Sequence, residues 1–335
     1  MLEPKVTVVV IPQERFSYTK FSLEKIYRYT GIPFKLIYID NNSPQPIKRY
    51  LVEQSQAKGF HLIRTEKYLS PNQSRNLALA NVDTEYVVFI DNDVQVTPGW
   101  LRKLVKCAEE TNAWVVGPLL LDSVYGKLIL NSVQGKLKKQ NIHIAGGYCR
   151  FQEKNGKTDL YEQRRFAKNS VPTVSSNLQR ETTELIEFHC FLVRTAIFKQ
   201  IGYFDEKLMS IAEESDFCLT VRNAGGTIYF EPDSVVIYVL PAWLQWYDLP
   251  YFLLRWSDSW NKASLNYFQQ KWSLSEDSQF ISLGYKWANR HRLVPLQSIP
   301  DIMLKILPWQ KTRISDLPVF SRFYRKFFNS NFCEE

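Results

Sequence analysis

Tyr86-Val87-Val88-Phe89-Ile90-Asp91-Asn92-Asp93 is an apolar run that stops abruptly at two acids. An uninterrupted run of this length fits a strand buried on both faces, the kind found in parallel sheets covered by helices. The acids, at i and i+2, then face one way at the strand's carboxyl end. In open α/β sheets that end is where ligands bind. Two hard carboxylates there suit Mn2+ or Mg2+, which would bridge them to a diphosphate and neutralise charge on a leaving group. A plainer reading of the triplet is a turn that caps a helix starting at Thr97-Pro98.

Outward from this run the pattern repeats. Apolar strand patterns fall at 6–11, 34–39, 61–64, 86–90 and 114–116, with amphipathic stretches at 21–29, 46–56, 73–80 and 100–109 between them. This βαβα series predicts an α/β fold with an open, mainly parallel Rossmann-like sheet and helices on both faces. The stretch 125–175 is polar and weakly periodic, and hairpins and loops are expected there. Regular structure is expected again as a strand at 187–193, a short helix at 196–201 and a longer one at 214–223 ended by Gly225-Gly226. A strand pair at 227–230 and 234–239 closes the sheet near residue 240. The expected organisation is one nucleotide-binding domain at 1–240 and a mostly helical, aromatic C-terminal extension at 241–335 packed on it.

Composition narrows the function classes. The chain has 335 residues, 45% of them apolar, and a net charge of +8, which suits an anionic partner such as a diphosphate or a phospholipid surface. No stretch approaches the roughly 18 apolar residues of a membrane helix. The start of the chain lacks the pattern of a secretory signal, so a cytoplasmic address is expected. Five widely separated cysteines form no Cys-x-x-Cys pair, which argues against a disulfide framework or zinc site. The first strand leads into Pro12-Gln13-Glu14-Arg15 rather than a glycine-rich phosphate loop, which argues against a dehydrogenase or a sugar nucleotidyltransferase. No nucleic-acid-binding motif is present.

An ordered set of segments resembles the family 2 glycosyltransferases, whose nucleotide-binding fold is called GT-A. It runs from Val6-Thr7-Val8-Val9-Val10-Ile11-Pro12 through Ile37-Tyr38-Ile39-Asp40-Asn41-Asn42-Ser43 and Asn72-Gln73-Ser74-Arg75-Asn76-Leu77-Ala78 to Phe89-Ile90-Asp91-Asn92-Asp93, followed by Pro98-Gly99-Trp100-Leu101. Later, Ile201-Gly202-Tyr203-Phe204-Asp205-Glu206 and Ala212-Glu213-Glu214-Ser215-Asp216-Phe217-Cys218-Leu219 are similar to the family's acid-bearing acceptor segment. The resemblance implies transfer of a sugar from a nucleotide diphosphate donor, a UDP-sugar favoured, to a saccharide or lipid-linked acceptor. It implies inversion in one displacement with a carboxylate base, and a donor set of Pro12, Glu14, Asp40, Arg75, Asp91, Asn92 and Asp93. Asp91 and Asp93 would hold the metal and diphosphate, and Asp40 would meet the base.

Each residue also has its own reading. Asp40 ends a strand where a carboxylate can accept from a base or ribose, or it belongs to a turn-rich Asp-Asn-Asn-Ser-Pro. Arg75 near a helix start faces phosphate oxygens or is a surface arginine. Glu214, Glu213 and Asp216 are the candidates to take the acceptor's proton, Glu214 first; alternatively all three serve a helix dipole. The family's Glu-Asp pair reads Glu213-Glu214 here, and the histidine that relatives often carry after the last strand is replaced by Tyr238, so His143 or His189 is considered in its place. These departures keep a non-catalytic nucleotide-sugar-binding relative as an alternative. Phe252, Trp256 and Trp260, at the i, i+4 and i+8 spacing of one helix, are read as a packing stripe against the sheet. The segment 317–328 reads as a basic amphipathic helix suited to peripheral contact with the inner face of a membrane, or to docking on the body of the protein or a second subunit.

Overall fold

The computed structural model describes residues 3–123, 140–240 and 244–293. The sheet is built around β1 (Val6–Ile11), β2 (Lys35–Asn41), β3 (His61–Thr65) and β4 (Tyr86–Asp91), all parallel. β5 (Val94–Val96), β6 (Val115–Asp122), β7 (Ile142–Ile144), β10 (Glu181–Thr182), β11 (Cys190–Arg194) and β12 (Ile228–Tyr238) extend it, in the order β10-β12-β6-β11-β4-β1-β2-β3 with β5 on β12 and β7 on β6. β11 runs antiparallel between β4 and β6, so its first residues lie at the carboxyl end of β4. Between β7 and β10, β8 (Gly147–Lys154) and β9 (Lys157–Arg164) form a separate hairpin. It turns at Asn155 and Gly156, both at positive φ, where Asn and Gly are at least cost.

Helices cover the sheet where their apolar faces require it. α1 (Thr19–Tyr29) buries Leu23 and Ile26, and α2 (Gln45–Lys58) ends at left-handed Gly59. α3 (Pro71–Leu79) begins with a capping box between Ser70 and Gln73. α4 (Trp100–Thr111) buries Trp100, Leu101, Leu104 and Ala108. α5 (Glu213–Asn223) ends at Gly225-Gly226, as expected. Gly226 has no room for a side chain: a Cβ would lie 2.3 Å from Trp114. Gly226→Ala is therefore expected to cost about 2 kcal/mol by overpacking, read as a melting temperature lowered by on the order of 5 °C.

Three expectations are corrected. The pair at 227–230 and 234–239 is the single strand β12, parallel to β6 along both halves, with the register shifting between Glu231 and Val235. Pro232 cannot donate to the ladder, so the chain bulges there and resumes at Val235. β6 is longer than 114–116 because Pro118 stands opposite Glu231, at the bulge, where the ladder is already interrupted. The stripe of Phe252, Trp256 and Trp260 does not lie on one helix. α6 (Leu249–Arg255) ends before Ser257, whose hydroxyl caps a new helix, α7 (Asp258–Lys271), by accepting from Trp260 N–H. Trp256 packs on α8 (Gln279–His291), 5.0 Å from Trp287 and 4.5 Å from His291 between ring centroids.

These last helices hold the loop after β1. Asp248 accepts from the N–H groups of Phe16 and Ser17 at 2.7 and 3.0 Å. Buried Glu14 accepts from Tyr238 Oη–H, Trp256 Nε1–H and His291. Among the described residues no helix is long and apolar enough to cross a membrane. The segment 317–328 lies outside the described residues. Cys107, Cys149, Cys190 and Cys218 are buried free thiols.

Candidate active site

The register of the sheet assembles the site at one edge. Ile11 pairs with Asp91, so the loop 12–15 leaves β1 beside the acids. The Asp91 N–H donates to the His189 carbonyl, and Val239 N–H donates to the Asp93 carbonyl, which brings His189 and Tyr238 to the same place. The turn does not cap a helix: β5 follows it, and Thr97 Oγ1 donates to the Val235 carbonyl. Asn92 ties the turn to the β1 loop, accepting from Gln13 N–H and donating to the Arg15 carbonyl at 2.7 Å.

Asp91, Asp93 and His189 each offer a ligand atom, all within 4.8 Å of one another. His189 Nδ1 is 2.7 Å from Asp91 Oδ2, and its ring stacks at 3.9 Å on Tyr238. Thus the tyrosine at the end of β12 supports an imidazole that comes from the residue before β11. Asp91 Oδ1 and both Asp93 oxygens are buried without a hydrogen-bond partner; Arg15 Nε is 3.3 Å from Asp93 Oδ2 but outside hydrogen-bond geometry. Burial, then the neighbouring Asp91 and Glu14, push the Asp93 carboxyl up to about 7 against Arg15. His189 is raised to about 9 despite burial, through its bond to Asp91. Unpartnered buried carboxylate oxygens beside an imidazole are costly alone and fit a divalent cation.

Two arginines close this half. Arg15 is fully buried, donates to the Leu240 carbonyl and lies 4.3 Å over the Tyr18 ring. Arg75 is not a surface residue: it is buried, 4.3 Å over the Phe188 ring, and donates to Asn72. Its Nε has no partner, and burial lowers its pKa against the attraction of Asp91, Glu213 and Glu214. Arg75 therefore stands between the aspartates and the α5 acids.

The rest of the expected donor set is placed as follows. Pro12 lies at the β1 edge, its carbonyl accepting from Tyr251. Asp40 is the penultimate residue of β2, and Arg64 Nη1 at 2.5 Å and Ser43 N–H at 3.0 Å occupy its oxygens. Glu14 is bonded within the protein. Its oxygens are taken by Tyr238, Trp256 and His291, and its pKa is held down to about 2 despite burial, chiefly by His291.

The three α5 acids part company. Glu213 pairs with Arg255 at 3.0 Å, and Asp216 is held by Lys271 at 2.8 Å and Trp272 Nε1–H at 2.8 Å. Asp216 thus secures α7 to α5. Glu214 faces the other way, toward Glu187, Glu162 and Arg164. Burial, then Glu187, Glu213 and Glu162, push its pKa up to about 8 against Arg164. Sequence reasoning passed over Arg15, Arg164 and Glu187. The available signal was the Glu187-x-His189 spacing.

Residues 7–154 match the family model of Glycosyl transferase family 2. The chain is 24% identical over 206 residues to a pre-mycofactocin glycosyltransferase of Mycobacterium tuberculosis, covering 60% of this chain and 37% of that protein. It is 25% identical over 155 residues to an N-acetylglucosaminyl-diphospho-decaprenol L-rhamnosyltransferase of the same organism, covering 46% of this chain and 47% of that one. The chain therefore spans less than half the length of these curated relatives. A crystal structure of GalNAc-T7 with UDP, GalNAc and Mn2+ superposes with a TM-score of 0.54 at 15% identity, over 92% of this chain and 58% of that chain. The open, mostly parallel sheet is thus of the GT-A type, and residues 7–154 resemble glycosyl transferase family 2.

Proposed function

We propose that the chain transfers a sugar from a nucleotide diphosphate donor, a UDP-sugar by preference, to a hydroxyl of a saccharide or lipid-linked acceptor. The observation that carries this reading is the meeting of Asp91, Asp93 and His189 at the carboxyl end of β4, with three carboxylate oxygens unpartnered. The named activities of the mycobacterial relatives and the UDP and Mn2+ of the structural neighbour support it.

Asp91, Asp93 and His189 would hold the ion, Mn2+ ahead of Mg2+ because one ligand is an imidazole. When bound, it supplies positive charge against the departing diphosphate. Arg15 and Arg75, both buried beside the aspartates, add fixed positive charge there. The acceptor oxygen bonds to the anomeric carbon as the bond to the diphosphate breaks, inverting configuration, and its proton passes to Glu214. Glu213, engaged by Arg255, fixes the start of α5 rather than taking the proton.

Two measurements test this. With Mn2+ and a panel of nucleotide sugars, release of UDP from one UDP-sugar above the uncatalysed rate is expected; no release from any donor would set the reading aside. Glu214 must be ionised to accept a proton and its pKa is raised to about 8, so kcat/KM should climb about tenfold per pH unit below that value and level off above it. A profile flat between pH 6 and 9 would take the role from Glu214.

A further inference from the structure

Arg164 is the last residue of β9, and the hairpin that carries it is anchored on both sides. Asp159 accepts from Ser278 Oγ and Gln279 N–H at the start of α8, and Lys157 pairs with Asp277. On the other side the Ser215 hydroxyl donates to Glu162 at 2.5 Å, and Arg222 donates to the Cys149 carbonyl. The guanidinium is thus delivered to a fixed place between β6, β7, β11 and α5.

Its contacts leave it little freedom. Nη1 lies 3.1 Å from His143 Nε2. Arginine only donates, so Nε2 accepts and His143 keeps its proton on Nδ1, directed at Asp122 Oδ1 2.8 Å away. Burial, which lowers the His143 pKa, keeps that imidazole neutral. Nη2 lies 3.0 Å from Glu187 Oε2 and 3.6 Å from Glu214 Oε1. His143, Glu187 and His189 have ligand atoms close enough to hold a second metal ion. The guanidinium stands against His143 and Glu187 instead, as a cation that cannot dissociate.

We propose that Arg164 is a positioning residue for sugar transfer: it holds Glu187 and Glu214 together and keeps Glu214 able to accept the acceptor's proton. This rests on the transferase reading above. The groups facing Glu214 are Glu162 and Arg164 from β9, Glu187 before β11, Glu213 on its own helix and Arg75 from α3. Among the described residues, Arg164 is the one cation within ion-pair distance of it. Without that charge the carboxylate would face three acids with only Arg75 at longer range.

The test is the pH dependence of Arg164→Met, Arg164→Lys and the wild type. In Arg164→Met the acidic limb of kcat/KM should move up by about one to three pH units, the effect of removing an opposite charge at this range. Metal-dependent UDP binding should be unchanged, and Arg164→Lys should return the limb toward the wild-type position. A limb that stays in place in Arg164→Met, whether or not the rate falls, overturns the proposal. If Arg164→Met does not fold, a limb in Arg164→Lys equal to that of the wild type supports charge as the operative property, and a limb displaced upward by as much as a neutral residue would displace it overturns it. A 13C NMR titration of glutamate-labelled protein, with the Glu214 carboxyl assigned by its loss in Glu214→Gln, reads the same shift without turnover. A shifted carboxyl in a protein that transfers no sugar would uphold the hold of Arg164 on Glu214 and remove the transferase reading. An unshifted carboxyl in an active enzyme would do the reverse.

Discussion

Glu214→Gln is expected to bind the donor nucleotide as the wild type does and to lose transfer by roughly 10²- to 10⁴-fold, the range of a removed general base. The amide keeps the volume of the carboxyl and its place near Arg164, so the fold and the metal group are left alone. The carboxyl has no role holding helices together: Arg255 engages Glu213, and Lys271 and Trp272 engage Asp216. The loss should therefore appear in kcat, with KM for the donor little changed. Asp216→Asn is the contrasting variant. It breaks the tie between α5 and α7 and should lower the melting temperature more than it lowers turnover at a temperature where the protein is folded. A Glu214→Gln variant with wild-type turnover would move the proton to another acceptor.

Asp93→Asn is the second large effect. Metal-dependent affinity for the nucleotide should fall by at least on the order of 10²-fold, since even groups that only orient a metal ligand are worth 10- to 100-fold. The asparagine keeps the side-chain volume beside Arg15, whose guanidinium is otherwise left buried beside an empty space. Affinity measured without metal should change little. An Asp93→Asn variant that binds UDP with undiminished Mn2+ dependence would remove Asp93 from the metal group.

The sheet was legible because its strands announce themselves locally. The run 86–90 is apolar throughout and ends at Asp91, and β1 and β2 are mostly apolar in the same way. The glycine pair that ends α5 was equally local. What was not legible depends on partners far along the chain. β12 reads as two strands because Pro232 interrupts its period, and only the parallel pairing with β6 on both sides of the bulge joins them. Glu213, Glu214 and Asp216 read as one acidic cluster, yet on a helix neighbours at i and i+2 point apart while i and i+3 share a side. Glu213 and Asp216 accordingly meet α6 and α7, and Glu214 meets the hairpin. Arg164 stands 50 positions from Glu214 in a stretch with weak periodicity, and no local rule marks it as part of the site. The partners of Glu14 were hidden for a related reason: His291 and Trp256, more than 200 positions away, occupy its oxygens.

The central claim is that the Asp91, Asp93 and His189 group binds a nucleoside diphosphate through a divalent ion. Calorimetric titration of UDP, GDP and dTDP into the purified protein, with and without Mn2+, tests it most directly. UDP binding that requires Mn2+ and is stronger than that of the other two is the predicted result. Absence of binding by all three in the presence of Mn2+ would contradict it.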